Sequence, residues 1–252
     1  VQGTGTRPSG KRPTLGANAV GTLIPAPRTV EIAGSHDTED PRGDGVADRS
    51  ITFLFDFVDP GSYVVFEFLR RRGLVEGSDR LRMRPLELVA PEDRMISAGD
   101  PGWREMSEFV GDIAEQEGIP YRDVAKVPRT RKAHELALHG SEQDVPMHRA
   151  LFRAHFESGL DIGRIDTLVA LAQEAGLDGA EVRTVLGVDR FEPAVREARD
   201  DAARLPVRGV PTLIGTAARA NEGEIRLEGF RSTEELDAFL RRAALHGEDS
   251  RG

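Results

Sequence analysis

The sequence predicts an α/β fold in which a long helical segment interrupts a small sheet. Three observations carry this. Residues 51–57 (ITFLFDF) are a β-branched and aromatic run of strand length. From about residue 102 to residue 205 apolar positions recur at helical spacing. Strand-like segments then return at 212–215 and 224–227.

Residues 1–48 are rich in Gly, Pro, Thr, Arg and Asp and show little periodicity. Such a stretch buries too little apolar surface to order itself. A flexible extension is expected, with residues 29–33 (TVEIA) as an edge-strand candidate. The alternative is an arm that packs on a partner subunit or covers a site.

The strand at 51–57 is followed by Asp59 and Pro60, a helix N-cap with proline at the first helical position. That helix should run through Arg72 and stop at Gly73. Residues 81–88 (LRMRPLEL) alternate apolar and polar, as a strand does, and Pro85 places it at an edge or a bulge. Helices are expected over 103–117, 130–139, 146–158, 164–175, 180–186 and 193–205. Gly118, Gly140, Gly159, Gly176 and Gly187 punctuate them at C-terminal positions. A last amphipathic helix covers 234–245.

A strand–helix–strand crossover, then a hairpin and a helix, is a thioredoxin-like arrangement. Three parts follow: the extension 1–48, a thioredoxin-like domain from 49–90 and 206–246, and an inserted helical subdomain at 91–205.

Composition excludes several functions. The formal net charge of −9 argues against nucleic acid as a partner, since phosphate binding needs a basic surface. No apolar run reaches the roughly 18 residues of a membrane span. There are no cysteines, which removes disulfides, thiolate nucleophiles and cysteine metal sites. The N-terminal residues lack a charged segment followed by an apolar one, so a cytoplasmic protein is expected. Lysine occurs only at 11, 126 and 132 against many arginines, a bias of GC-rich bacterial genomes. No histidine spacing suits a metal; there is no H-E-x-x-H.

Four stretches together resemble the DsbA family, in particular its branch with 2-hydroxychromene-2-carboxylate isomerases and kappa-class glutathione transferases. They are residues 55–63 (FDFVDPGSY), 130–139 (TRKAHELALH), 150–178 and 209–212 (GVPT). The resemblance covers about 51–245. It implies that 59–62 is the active-site turn, that the Val210–Pro211 peptide is cis, and that an acidic residue at 56 has a structural or pKa-tuning role. In redox members the turn carries Cys-x-x-Cys; in the isomerases and transferases it resembles S-P-x-S, whose first serine meets a thiol cofactor. Here the turn is Asp59-Pro60-Gly61-Ser62, which departs from both. Kappa-type members carry an aspartate for the glutathione ammonium where this chain has Arg231.

The expected site therefore has Asp59 and Ser62 as catalytic groups. Phe57, Tyr63, Trp103, Val210, Pro211 and Arg231 would contact the substrate. Each has a structural alternative: Asp59 as a plain cap, Ser62 bonding local backbone, Trp103 in the core, Arg231 solvated. A carboxylate accepting backbone N–H bonds is expected below the usual carboxylate range, where it repels a thiolate. His134 and His155, on apolar-faced helices, read as core or interface residues.

The resulting expectation is a non-redox enzyme that isomerises, cyclises or rearranges a small aromatic or polyketide-like molecule without a cofactor. The alternatives are an inactive binding or scaffold module, with dimerisation through the helical block as an option, and an enzyme using glutathione or another small thiol.

Overall fold

A computed structural model describes residues 50–75, 78–219 and 221–245. The expected extension at 1–48, with its edge-strand candidate at 29–33, lies outside the described residues.

The element order is β1 (Ile51–Phe55), α1 (Pro60–Arg71), β2 (Leu81–Pro85), α2 (Pro101–Gln116), α3 (Arg131–Glu142), α4 (His148–Phe156), α5 (Ile165–Glu174), α6 (Gly179–Gly187), α7 (Glu192–Arg204), β3 (Thr212–Thr216), β4 (Glu224–Glu228) and α8 (Thr233–Arg242). The sheet runs β2-β1-β3-β4. β1 pairs parallel with β2, with Ile51 opposite Leu81, and antiparallel with β3, with Phe53 opposite Leu213. The β3–β4 pair is an antiparallel hairpin.

β1 is central and buried on both faces. Phe53 and Phe55 point into the main core, while Leu54 packs with Ala202 and Val210 on the other face. This explains its continuous apolar run, since a strand covered on both sides need not alternate. β2 is an edge strand, which tolerates Pro85 at its end. It is shorter than the expected 81–88 span, because Leu86 leaves the ladder after its N–H bonds the Phe55 carbonyl.

α1 is buried from Pro60 to Leu69, so it is the central helix rather than a surface one. It ends where Gly73 takes a φ of 69°, a conformation glycine adopts without a Cβ penalty. The inserted helices α2 to α7 lie over α1 and the sheet edge, and one continuous core joins sheet and insert. Its centre is aromatic: Phe55, Phe57, Phe66 and Tyr63 surround Phe152 at ring separations of 5.0–5.9 Å. Among the described residues no helix is long and apolar enough to cross a membrane.

Candidate functional site

The site begins with local sequence. β1 delivers the chain to Asp59, whose extended backbone (φ −82°, ψ 117°) precedes Pro60 at the start of α1. The Asp59 carboxylate accepts a hydrogen bond from the Ser62 N–H at 2.6 Å. This is the N-cap that the sequence anticipated, a feature worth about 1 kcal/mol against alanine. Three residues earlier, the Asp56 N–H donates to the Ser62 hydroxyl at 3.3 Å. Ser62 thus ties the helix start back to the end of β1.

Burial changes what the cap does chemically. Asp59 is only 1% exposed, and Ser62 is fully buried. Burial pushes the Asp59 carboxyl up to about 6. The hydrogen bonds from Ser62 pull it down, less strongly, and the neighbouring Asp56 pushes it up further. The expectation of a value below the usual carboxylate range is therefore reversed. Desolvation outweighs the cap donors, because a lone carboxylate away from water loses more solvation than these bonds return.

The opposite wall comes from the far end of the chain. The Val210–Pro211 peptide is cis. The Pro211 ring and the Cβ of Phe230 crowd Gly61: a methyl group added there would meet Pro211 Cδ at 3.1 Å and Phe230 Cβ at 3.2 Å. The Pro211 carbonyl accepts from the Gly229 N–H at 2.8 Å, joining this wall to the segment before α8.

The structure gathers Asp59, Ser62 and Pro211 around one turn. It treats the other expected contact residues differently. Phe57 is fully buried between His134 and Phe152, with ring centroids 4.8 and 5.0 Å away. Tyr63 is also buried; its hydroxyl donates to the Pro120 carbonyl at 2.8 Å, and its ring stacks on Phe156. Val210 packs with Leu54 in the smaller core cluster. Arg231 pairs with Glu235 one helical turn on, at 3.3 Å on the surface.

Trp103 lies on α2, where with Ala98, Ser107, Asp123 and Val124 it lines a cleft of about 140 Å³. The Ser107 hydroxyl lies 2.6 Å from the Tyr121 hydroxyl and donates to Asp123 at 2.8 Å. Burial holds the Tyr121 phenol above its usual range despite the Ser107 bond, and the charges of Asp123 and Asp59 act in the same upward direction. The Tyr121 ring stacks on Phe156, which in turn stacks on Tyr63 of α1.

Two groupings were not legible in the sequence, although it singles out Asp56 as a structural or pKa-tuning acid and His134 as a core or interface residue. Asp56 and His134 are fully buried, with His134 Nε2 3.1 Å from Asp56 Oδ1. The other Asp56 oxygen accepts from the Leu88 N–H at 2.6 Å. The Ser107–Tyr121–Asp123 group had no sequence signal, since serine, tyrosine and aspartate at such spacing are common.

Neither feature suits a thiol cofactor. The first position of the turn is a buried carboxylate engaged with its own helix, and Arg231 is engaged with Glu235. Among the described residues no group of histidine, aspartate or glutamate could hold a metal ion.

A parallel strand–helix–strand unit, an antiparallel hairpin, an inserted helical block and a cis-proline beside the α1 N-terminus define a thioredoxin-like fold of the DsbA type. The chain belongs to the DSBA-like thioredoxin domain family, which it matches over residues 50–235. It is similar to the uncharacterised protein YwbO of Bacillus subtilis (strain 168), at 29% identity over 149 residues, covering 56% of this chain and 74% of that protein. Among solved structures it resembles a probable DsbA oxidoreductase from Streptomyces coelicolor (TM-score 0.63, 23% identity, 81% of this chain and 92% of that one). It also resembles a 2-hydroxychromene-2-carboxylate isomerase (TM-score 0.59, 19% identity, 77% of this chain and 95% of that one). At these identities the solved structures establish the fold. With no cysteine in the sequence, the thiol–disulfide chemistry of Cys-x-x-Cys has no means here.

Proposed function

We propose that this chain is a non-redox member of its family, a cytoplasmic enzyme that isomerises, cyclises or rearranges a small aromatic or polyketide-like molecule. Asp59 is the acid–base group. One observation carries the reading: where a redox relative holds its attacking thiol, this chain holds a buried carboxyl whose pKa of about 6 lets it accept or release a proton near neutrality. Ser62 keeps that carboxyl on the helix N-terminus. The cleft beside Trp103, about 140 Å³, is lined also by Arg104, Glu108 and Asp123 and by no residue of the turn, so the reading rests on Asp59 and not on this cleft. The isomerase among the similar structures supports the reaction class.

A second reading has its own observation. Asp59 is 1% exposed and the Pro211 ring packs on Gly61 in the same turn, so a substrate reaches the carboxyl only if the turn opens. A turn that stays closed favours a binding or scaffold role, with pairing of two copies through the helical block.

The test is a panel of hydroxylated aromatic carboxylates and short polyketide-like ketones, followed by proton NMR with wild type and Asp59→Asn. Turnover with a pH inflection near 6, abolished in Asp59→Asn, is the expected result. Binding without turnover, or turnover untouched by Asp59→Asn, would move the assignment to the second reading.

A further inference from the structure

Beneath the turn lies a polar cluster that the cap does not require. Asp56 directly follows β1 with both carboxylate oxygens engaged, by the Leu88 N–H and by His134 Nε2. His134 comes from α3, in the inserted block, and is 1% exposed. Its other ring nitrogen, Nδ1, is buried without a hydrogen-bond partner. Satisfying a buried carboxylate with one backbone N–H and one imidazole is costly to assemble and is lost whole if either partner goes.

The cluster reaches Asp59 by a short covalent and hydrogen-bonded route. The backbone N–H of Asp56 donates to Ser62, and the N–H of Ser62 donates to Asp59. The Asp56 charge also acts on Asp59 through space.

We infer that His134 is a positioning residue for Asp59: by bonding the Asp56 carboxylate beneath the turn, it fixes the charge against which Asp59 gains and loses its proton. The inference rests on the reading of Asp59 as the acid–base group, but Asp59 ionisation is measurable without a substrate.

Other charges around the cluster act on the same balance. From the loop after β2, Glu87 feels both His134 and Asp56, along with Arg199 of α7 and Arg131 of α3. From α4, His148 is pushed down to about 4 by burial and by His134. His155 is lowered by burial, with the Leu160 carbonyl, Asp56 and Asp161 opposing. The Asp59 charge also acts on the Tyr121 phenol, raising it. With His148 neutral above pH 5, His134 is the histidine in hydrogen-bond contact with Asp56.

The experiment follows the Asp59 side-chain carboxyl carbon by ¹³C NMR from pH 4 to 8 in the full chain. Asp56→Asn keeps an oxygen for the Leu88 N–H and removes the charge. The Asp59 midpoint should fall by about half a pH unit or more. His134→Leu removes the donor and leaves the Asp56 charge less compensated, so the midpoint should rise by a similar amount. His134→Gln, which keeps an N–H donor, should restore the wild-type value. Near-UV circular dichroism checks packing, and Asp56→Asn keeps the test decisive if His134→Leu fails to fold. An unchanged midpoint in Asp56→Asn would overturn the positioning role while leaving the acid–base reading of Asp59 intact. Shifted midpoints in a protein that turns over nothing would support the positioning role and remove the catalytic reading.

Discussion

The pyrrolidine ring of Pro211 lies so close to Gly61 that a single methyl group added to the glycine would approach Pro211 Cδ at 3.1 Å. Residues 150 positions apart in the chain thus share one van der Waals surface at the start of α1. Neither neighbour is the free end of a flexible side chain: one is a ring, the other the Cβ of Phe230. Gly61→Ala gains up to about 1 kcal/mol of helix propensity and loses about 1–3 kcal/mol to overpacking. The expected outcome is net destabilisation of about 1 kcal/mol in urea unfolding. A stabilised Gly61→Ala would show that the turn is open in solution.

Asp59→Asn should stabilise the protein at neutral pH. Asparagine keeps a side-chain oxygen for the Ser62 N–H, so the cap survives. The folded-state pKa of Asp59, about 6, lies above the ordinary carboxyl value of 3.8, so the folded state binds the proton more tightly. The wild type therefore loses stability from this group as pH rises from about 4 through 6. The difference of about two units corresponds to on the order of 3 kcal/mol at most. Urea unfolding at pH 4.5 and 7.5 should show the advantage of Asp59→Asn at pH 7.5 and most of it gone at pH 4.5. An advantage that grows toward low pH has the wrong sign.

Tyr63→Phe separates a core role from a ligand contact. The hydroxyl donates to the Pro120 carbonyl and also reaches Glu157 at 3.2 Å. Its removal should cost about 1 kcal/mol and leave ligand affinity unchanged. Unaltered stability with lost binding would return Tyr63 to the site.

Much of the fold was legible in the sequence because its signals are local. Asp59-Pro60 marks a helix start and Gly73 its end, whatever the rest of the chain does. The chemistry of Asp59 was not legible, because it comes from burial, and burial depends on which distant segments meet the turn, as Pro211 and Phe230 do at Gly61. The Asp56–His134 contact spans 78 residues and leaves no periodic trace. Arg231 shows the opposite case. Its partner Glu235 stands at i+4, a local pairing, yet the resemblance at this position drew the residue toward the site.

Glutathione should bind poorly. Above pH 6 Asp59 is mostly ionised, and it holds the turn position where the resemblance read from the sequence implies a serine against a thiol. In calorimetric titration at pH 7.5 the wild type should bind glutathione no tighter than about 1 mM, and Asp59→Ser about tenfold tighter, equivalent to about 1.4 kcal/mol. Arg231→Asp, whose guanidinium is already paired with Glu235, should change little. Micromolar affinity of the wild type for glutathione contradicts this.

The central claim is that burial has turned a helix-capping carboxylate into a group that titrates near neutrality. The measurement that bears on it most directly is the ¹³C titration of the Asp59 carboxyl in the wild-type protein. The expected midpoint is about 6. A midpoint at or below the ordinary carboxyl value of 3.8 would mean that the cap hydrogen bonds dominate, and Asp59 would then be a structural cap without acid–base function.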